Sequence, residues 1–301
     1  MPSHITVIPA STQVGKETIR LLLKSDSAPL VRGIYRDLSK TPSDFVAHTH
    51  FQAVQGDVGA GTGLDFSTSD AVSYIPPPIF DGSDHAEFAQ RAANNVAKAL
   101  KESHVKRLVL QSSLGSKHDP KKIGILILNY ITDEILRDVV PEVVITRPSY
   151  YFSFWSQALK AMQTDSPMFE SPFSPADFAF PMISTKDIAN FSANTLLAES
   201  LSPAKREVKL FGPRHYSPLD VKKAIETVTG KPGELKVIPG AQLAEWWAKI
   251  VPEAYVPEYV EFMLAQLPGG IMVEDYDETG DFIRFETELV DDLRAVLDDG
   301  R

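Results

Sequence analysis

Through its first 150 residues the chain repeats one rhythm. A short apolar run rich in β-branched residues is followed by a longer stretch whose apolar positions recur every third or fourth residue. Runs of the first kind fall at residues 5–8, 30–35, 51–55, 71–75, 107–111 and 143–146. Each has the length of a strand and is too short for a helix. Between the fourth and fifth runs, Phe88, Ala92, Val96 and Leu100 are spaced by four, which predicts a helix with one apolar face. Asp84 and Glu87 stand where a capping box would open it. Strands alternating with helices predict an α/β fold: a doubly wound, Rossmann-type parallel sheet covered by helices on both faces. In such sheets ligands gather outside the carboxyl ends of the strands, at the point where strand order reverses.

After Arg147-Pro148 the rhythm loosens into aromatic, proline-rich sequence such as FWSQ, PMFESPFSPADFAFP and WWAKIVPEAYVPEYVEF. The expected organisation is a nucleotide domain over residues 1–150 and a smaller C-terminal α+β substrate lobe over residues 151–301, with possible exchange of a strand or helix between them. No repeat and no flexible linker separates the two, so they are expected to pack with a cleft between them. Two helix starts are legible in the second part. Ser184 with Asp187 opens one, and Ser217-Pro218 with Asp220 opens another that ends at Gly230.

Composition narrows the function classes. The chain has no cysteine, which excludes disulfides and thiolate chemistry, and its seven histidines show no metal-binding spacing, so no metal is expected. A net charge of −10 argues against nucleic acid as a partner. No apolar run is long enough to span a membrane, and the start MPSHITVIPAS lacks the layout of a signal peptide. A cytoplasmic protein with a small-molecule substrate and no membrane partner is expected; the oligomeric state is open.

The first strand runs into Pro9, Ala10, Ser11, Thr12, Gln13, Val14 and Gly15 ahead of a helix, where a dinucleotide fold places its phosphate turn. At this turn the chain resembles the NmrA-like branch of the atypical short-chain dehydrogenase/reductases, whose pattern here is G-A-T-G-x-x-G. Pro9 and Thr12 replace the first two glycines, and Gly15 remains. The helix start still offers free N–H groups and the positive end of a dipole, and Ser11 and Thr12 add hydroxyl donors. Further similarity lies in Gln55-Gly56-Asp57-Val58, in Arg147-Pro148-Ser149-Tyr150-Tyr151-Phe152, in 183–189 and in 210–218, so it covers nearly the whole chain. It implies a Rossmann fold, a nicotinamide cofactor held by Ser11, Thr12, Gln13, Val14 and Gly15, and contacts from Asp57 beside the adenine. Pro76 and Pro77, ending the fourth strand, would wall the cofactor.

At the end of the second strand the sequence reads Tyr35-Arg36-Asp37-Leu38-Ser39-Lys40. A guanidinium at Arg36, with Lys40 beyond it, suits a 2′-phosphate, so the expected cofactor is NADP(H) in preference to NAD. The competing reading pairs Arg36 with Asp37 on the surface.

Ordinary short-chain dehydrogenases use a Tyr-x-x-x-Lys pair and a serine at the end of the fifth strand. Ser112 stands at that strand end, but Asn129 occupies the slot of the lysine, and Tyr130 is the phenol nearby, with Glu134 four residues on. Ser112, Tyr130, Tyr150 and Tyr151 are the candidate catalytic or substrate-contact residues, and Ser112 also a cofactor contact. Asp133 and Asp177 join Tyr130 and Tyr150 as possible acids or bases. Three functions remain open. The first is an NADP-dependent reductase of a small apolar molecule, acting on a C=N or C=C bond, in natural-product metabolism. The second is a cofactor-binding but non-reductive cyclase or isomerase. The third is a redox-sensing regulatory protein, as the resemblance to the family's namesake implies.

Overall fold

A computed structural model describes residues 3–162, 164 and 167–299. The first six strands are β1 (His4–Ile8), β2 (Leu30–Tyr35), β3 (Phe51–Gln55), β4 (Ala71–Tyr74), β5 (Arg107–Gln111) and β6 (Glu142–Pro148), each over a run that the periodicity predicts. Later come β7 (Tyr150–Tyr151), β8 (Met168–Ser171), β9 (Phe180–Ile183), β10 (Lys205–Phe211), β11 (His215–Tyr216), β12 (Glu234–Val237) and β13 (Phe282–Arg284). The helices are α1 (Gln13–Leu23), α2 (Ser43–Val46), α3 (His85–Glu102), α4 (Ile127–Leu136), α5 (Ser156–Ala161), α6 (Thr185–Leu197), α7 (Pro218–Thr229), α8 (Leu243–Trp247), α9 (Val256–Gln266) and α10 (Leu289–Asp299).

The main sheet has eight strands in the order β13-β10-β6-β5-β4-β1-β2-β3. The order reverses at β1, which pairs in parallel with both β2 and β4. This is the doubly wound topology expected, extended past β6 by two strands that the sequence pattern did not show. Lys205–Phe211 opens with three charged residues and has another at Lys209, and β13 has three residues, so neither made a continuous apolar run. A three-stranded sheet β11-β9-β7 and a two-stranded pair β12-β8 stand apart from the main one.

Two compact units share the chain. One holds residues up to Ser113 with Ile127–Arg147 and Ile188–Val208; the other holds Leu114–Leu126, Pro148–Asp187 and the chain from Lys209 onward. In the first unit, odd-numbered positions of the strands (Ile5, Val7, Val31, Phe51) pack against Ile19 and Leu22 of α1, Phe45 of α2 and Leu196 of α6. Strand side chains alternate between faces, so the even-numbered positions lie on the opposite side of the sheet. Among the described residues no helix is long and apolar enough to cross a membrane, and no group of three His, Asp or Glu is placed to hold a metal.

The caps are local and strong. Asp84 accepts from Glu87 N at 2.9 Å at the start of α3, and Ser217 with Asp220 forms a full capping box on α7, closed by Gly230 at φ 70°. Ser184 accepts from Lys186 N and donates to Asp292, so its hydroxyl ties the start of α6 to α10.

The carboxyl end of α6 depends on one buried arginine. Arg107 Nε donates to Glu142 Oε2 at 2.7 Å, while Nη1 donates to the carbonyls of Thr195, Leu196 and Ala198. Both side chains are over nine-tenths buried. Removing the arginine strands a buried carboxylate and leaves helix-end carbonyls unpaired. Arg107→Met is expected to lower unfolding free energy by about 3–5 kcal/mol in urea titrations, with Arg107→Lys recovering part of it.

Candidate functional site

The turn after β1 is built around one side chain. Thr12 is the N-cap of α1; its Oγ1 accepts from Gly15 N at 3.0 Å and donates to the Pro9 carbonyl at 3.1 Å. The hydroxyl therefore spans the bend from strand to helix. Ala10 N reaches across to Ile34 O at 2.9 Å, fixing the turn beside β2. A Cβ on Gly15 would lie 2.7 Å from Thr12 Oγ1 and 2.8 Å from Pro9 O, so this position admits glycine alone without a shift of the backbone. The threonine proton is committed to Pro9, which leaves Ser11, exposed at the tip, as the hydroxyl donor of the turn. The first N–H groups of α1, on Gln13 and Val14, have no acceptor within the helix, and no acidic residue stands in its first turn. That combination favours an anion at the helix start.

A cleft opens between this turn and the carboxyl ends of β2 and β3. It is lined by Pro9, Ser11, Thr12, Arg36, Asp57 and Pro77, among others. Arg36 is exposed, and no carboxylate pairs with its guanidinium among the described residues. Asp37, the competing partner, accepts instead from Ser39 N at 2.9 Å as the cap of a short 3-10 turn, Leu38–Lys40. Hydrogen bonds from Ser39, helped by Lys40, hold the Asp37 carboxyl below its usual range, so it is ionised but turned to its own turn. Lys40 is exposed at the end of that turn and does not line the cleft.

Asp57 lines the cleft, with Oδ1 accepting from Gly59 N at 2.7 Å and Ala60 N at 3.1 Å, so it shapes the turn that follows. Of the prolines after β4, Pro77 and Pro78 line the cleft and Pro76 does not. Phe88 and Ile79 also line it, although periodicity marked Phe88 only as helix core. What brings Phe88 there is its contact with Gly59, where an added Cβ would lie 2.8 Å from the ring, a long-range approach with no sequence signal.

The end of β5 is different in character. Ser112 is buried, and its Oγ donates to Asp133 Oδ2 of α4 at 2.7 Å. Arg147 Nη1 binds the same oxygen at 2.9 Å, and its Nη2 reaches Glu207 at 3.0 Å. The Ser112 hydroxyl is thus turned into a buried ionic network. Asn129 and Tyr130 lie four and three residues before Asp133, on its side of α4 and in the helix's first half, and both are half-buried. Glu134 is taken up by Arg137 rather than by the phenol of Tyr130.

In the second unit, Tyr150 and Tyr151 form β7 and meet Phe154, whose ring is 59% exposed. Tyr151 stacks on Phe154 at 5.5 Å and 9°, and Tyr150 lies 4.9 Å from it and 5.0 Å from Phe173. Burial pushes the Tyr150 phenol up, so its hydroxyl stays protonated. Asp177 is exposed. The same unit contains an acid–base pair that sequence reasoning did not find. His118 Nε2 lies 2.7 Å from Asp275 Oδ2, a carboxylate also approached by Lys117 and Lys209. Its members are 157 residues apart, which hid the pairing.

Residues 10–150 match a protein-family model described as NAD(P)H-binding, and that match assigns NAD(P)H to the segment as its cofactor. No curated protein sequence matches the chain. Solved structures are similar over nearly the whole length. The triphenylmethane reductase of Citrobacter sp., complexed with NADP(H), has a TM-score of 0.73 at 16% identity, covering 97% of this chain and 99% of that one. The NADPH-dependent quinone oxidoreductase of Escherichia coli, complexed with NADPH, gives 0.71 at 16% identity with the same coverage. A UDP-glucuronic acid 4-epimerase from Bacillus cereus in complex with NAD gives 0.64 at 16% identity, covering 97% and 94%. At these identities the likeness is one of fold, a Rossmann-type fold shared by reductases and epimerases.

The role of Thr12 in the turn is testable on its own. Thr12→Val keeps the shape and removes both hydrogen bonds, and is expected to cost about 1 kcal/mol of unfolding free energy, as loss of an N-cap does. Thr12→Ser should restore most of it in the same denaturant titration.

Proposed function

We propose that this chain is an NADP(H)-dependent reductase of a small apolar organic molecule, an NmrA-like protein acting on a C=N or C=C bond in specialised metabolism. The observation that carries the cofactor choice is Arg36, an exposed guanidinium without a carboxylate partner in the cleft at the end of β2. A fork of N–H donors suits a phosphate dianion far better than a ribose hydroxyl. The turn fits the rest of the nucleotide: Ser11 and Thr12 line the cleft just ahead of the free N–H groups of Gln13 and Val14, and Asp57 and Pro77 line it too.

When bound, the nicotinamide supplies a hydride. The residues of the chain bind and orient, and they offer little acid for a hydride acceptor that must be protonated as it is reduced. Ser112 donates its hydroxyl hydrogen bond to Asp133, and the lysine slot holds Asn129. A substrate that already carries positive charge, such as an iminium, needs no such acid. The rings of Tyr150, Tyr151 and Phe154 suit an aromatic or cationic group of that kind.

A second reading, cyclisation or isomerisation without net hydride transfer, is favoured by His118. Its Nε2 lies 2.7 Å from Asp275 Oδ2, an imidazole–carboxylate pair of the kind that serves general acid–base catalysis.

Calorimetry separates the cofactors: NADPH is expected to bind at least about tenfold tighter than NADH, and Arg36→Ala to erase the difference, as loss of a charged hydrogen bond implies. Equal affinities, or a preference that survives Arg36→Ala, would contradict the assignment. Turnover with 4-deuterated NADPH separates the reactions. Deuterium in the product indicates reduction, and unlabelled product with unconsumed NADPH indicates the second reading, in which His118→Gln should abolish turnover while leaving NADPH affinity unchanged.

A further inference from the structure

One face of α3 is turned to the cleft between the β1 turn and the ends of β2 and β3. Val58, Ile79 and Phe88 line that cleft. Phe88 belongs to α3, and His85, three residues earlier, has its Nε2 2.8 Å from the Ile79 carbonyl. Arg91 and Asn95 follow three and seven residues after Phe88, close to its side of a helix that turns about 100° per residue. Both reach the turn that follows β3. Asn95 Nδ2 donates to Val58 O at 2.9 Å and to Gly59 O at 3.3 Å, and Arg91 Nε donates to Gly59 O at 3.2 Å. The acceptors are carbonyls, so it is the amide nitrogen of Asn95 that faces them.

These bonds act on Asp57 through two peptide planes. The carbonyl of one residue and the N–H of the next share a rigid plane. By holding the carbonyls of Val58 and Gly59, Asn95 therefore also fixes the N–H groups of Gly59 and Ala60. Those two N–H groups are the donors to Asp57 Oδ1, at 2.7 and 3.1 Å. The rest of the turn closes around the same amide. Asp57 N donates to Thr62 O and Gly61 N to Asp57 O, both at 2.8 Å. At Gly61, φ 70°, a Cβ would lie 2.9 Å from Asn95 Cγ, so the turn comes this close to the asparagine only because that position is glycine. Asp57 itself is half-buried and lines the cleft with Arg36, and its Oδ2 makes no hydrogen bond among the described residues.

We propose that Asn95 is a positioning residue for the cofactor base, an assignment that rests on the reading above of NADP(H) in this cleft. Asn95 sets where Asp57 Oδ2 stands, and through that oxygen the cleft selects a purine with an exocyclic amine. A carboxylate offers acceptors and no donor, so it attracts an amine N–H and repels a carbonyl oxygen in the same place. Neither Asn95 nor Arg91 lines the cleft, so both act on the base through the turn.

Calorimetry with NADPH and with its hypoxanthine analogue, in which a carbonyl oxygen replaces the adenine amine, tests this. The native protein is expected to bind NADPH at least about tenfold more tightly, as a hydrogen bond to a charged group implies. Asn95→Ala should bring the two affinities to within about threefold, chiefly by weakening NADPH. Arg91→Met, at an exposed position with one bond to the turn, should narrow the gap at least about twofold. It decides the matter if Asn95→Ala does not fold. Asn94→Ala is the control: Asn94 is exposed and its amide donates to Gln90 O of its own helix, so the gap should remain. An asparagine that only stabilises the fold would move the two affinities together. That result, or a native protein indifferent to the base, would overturn the role of Asn95. Arg36→Ala separates this role from the reading beneath it. If NADPH binding ignores Arg36, both fall; if Arg36→Ala weakens NADPH while Asn95→Ala leaves the base preference intact, the role of Asn95 alone falls.

Discussion

The nucleotide end of this molecule depends on a single hydroxyl, the Oγ1 of Thr12, which joins the carbonyl of Pro9 to the amide of Gly15 in the first turn of α1. In a dinucleotide fold that bend is usually made by glycines, because the backbone must turn sharply and come close to a pyrophosphate. Here Pro9 fixes one end and Thr12 fastens the middle, so one glycine, Gly15, is enough where the helix meets the strand. The side chain supplies from within the turn a constraint that glycines would meet by freedom of backbone. The consequence reaches β2, since Ala10 is tied to Ile34 and Arg36 follows two residues later at the rim of the cleft.

At the end of β5 the chain has exchanged chemistry for structure. Where a short-chain dehydrogenase keeps a serine, a tyrosine and a lysine poised for proton transfer, this protein has Ser112, Asp133 and Arg147 bonded to one another in its interior. A buried pair of this kind is costly to break and adds little net stability over an apolar core, so its main effect is to fix where α4 lies. The reaction proposed above follows from that exchange, because a substrate that brings its own positive charge asks less of the protein than a ketone does.

Much of this was legible in the sequence, and the boundary has physical causes. The six strands of the first half and the caps at Asp84 and Ser217 are local signals, set by neighbours in sequence, and they appear where the pattern placed them. The position of Arg36 was legible for the same reason; its freedom was not, because that depends on Asp37 choosing Ser39. The edge strands β10 and β13, the burial of Ser112 by a residue 21 positions away, the approach of Phe88 to Gly59 and the His118–Asp275 pair all arise from contacts across the chain. Periodicity carries no information about such partners.

The central claim is that the turn from Pro9 to Gly15 and the guanidinium of Arg36 together receive a 2′-phosphorylated dinucleotide. A crystal structure of the chain grown with NADPH tests it most directly. The account predicts the pyrophosphate on the N–H groups of Gln13 and Val14, with the 2′-phosphate against Arg36. A 2′-phosphate directed away from Arg36, or a nucleotide bound elsewhere with the turn unvisited, would contradict it.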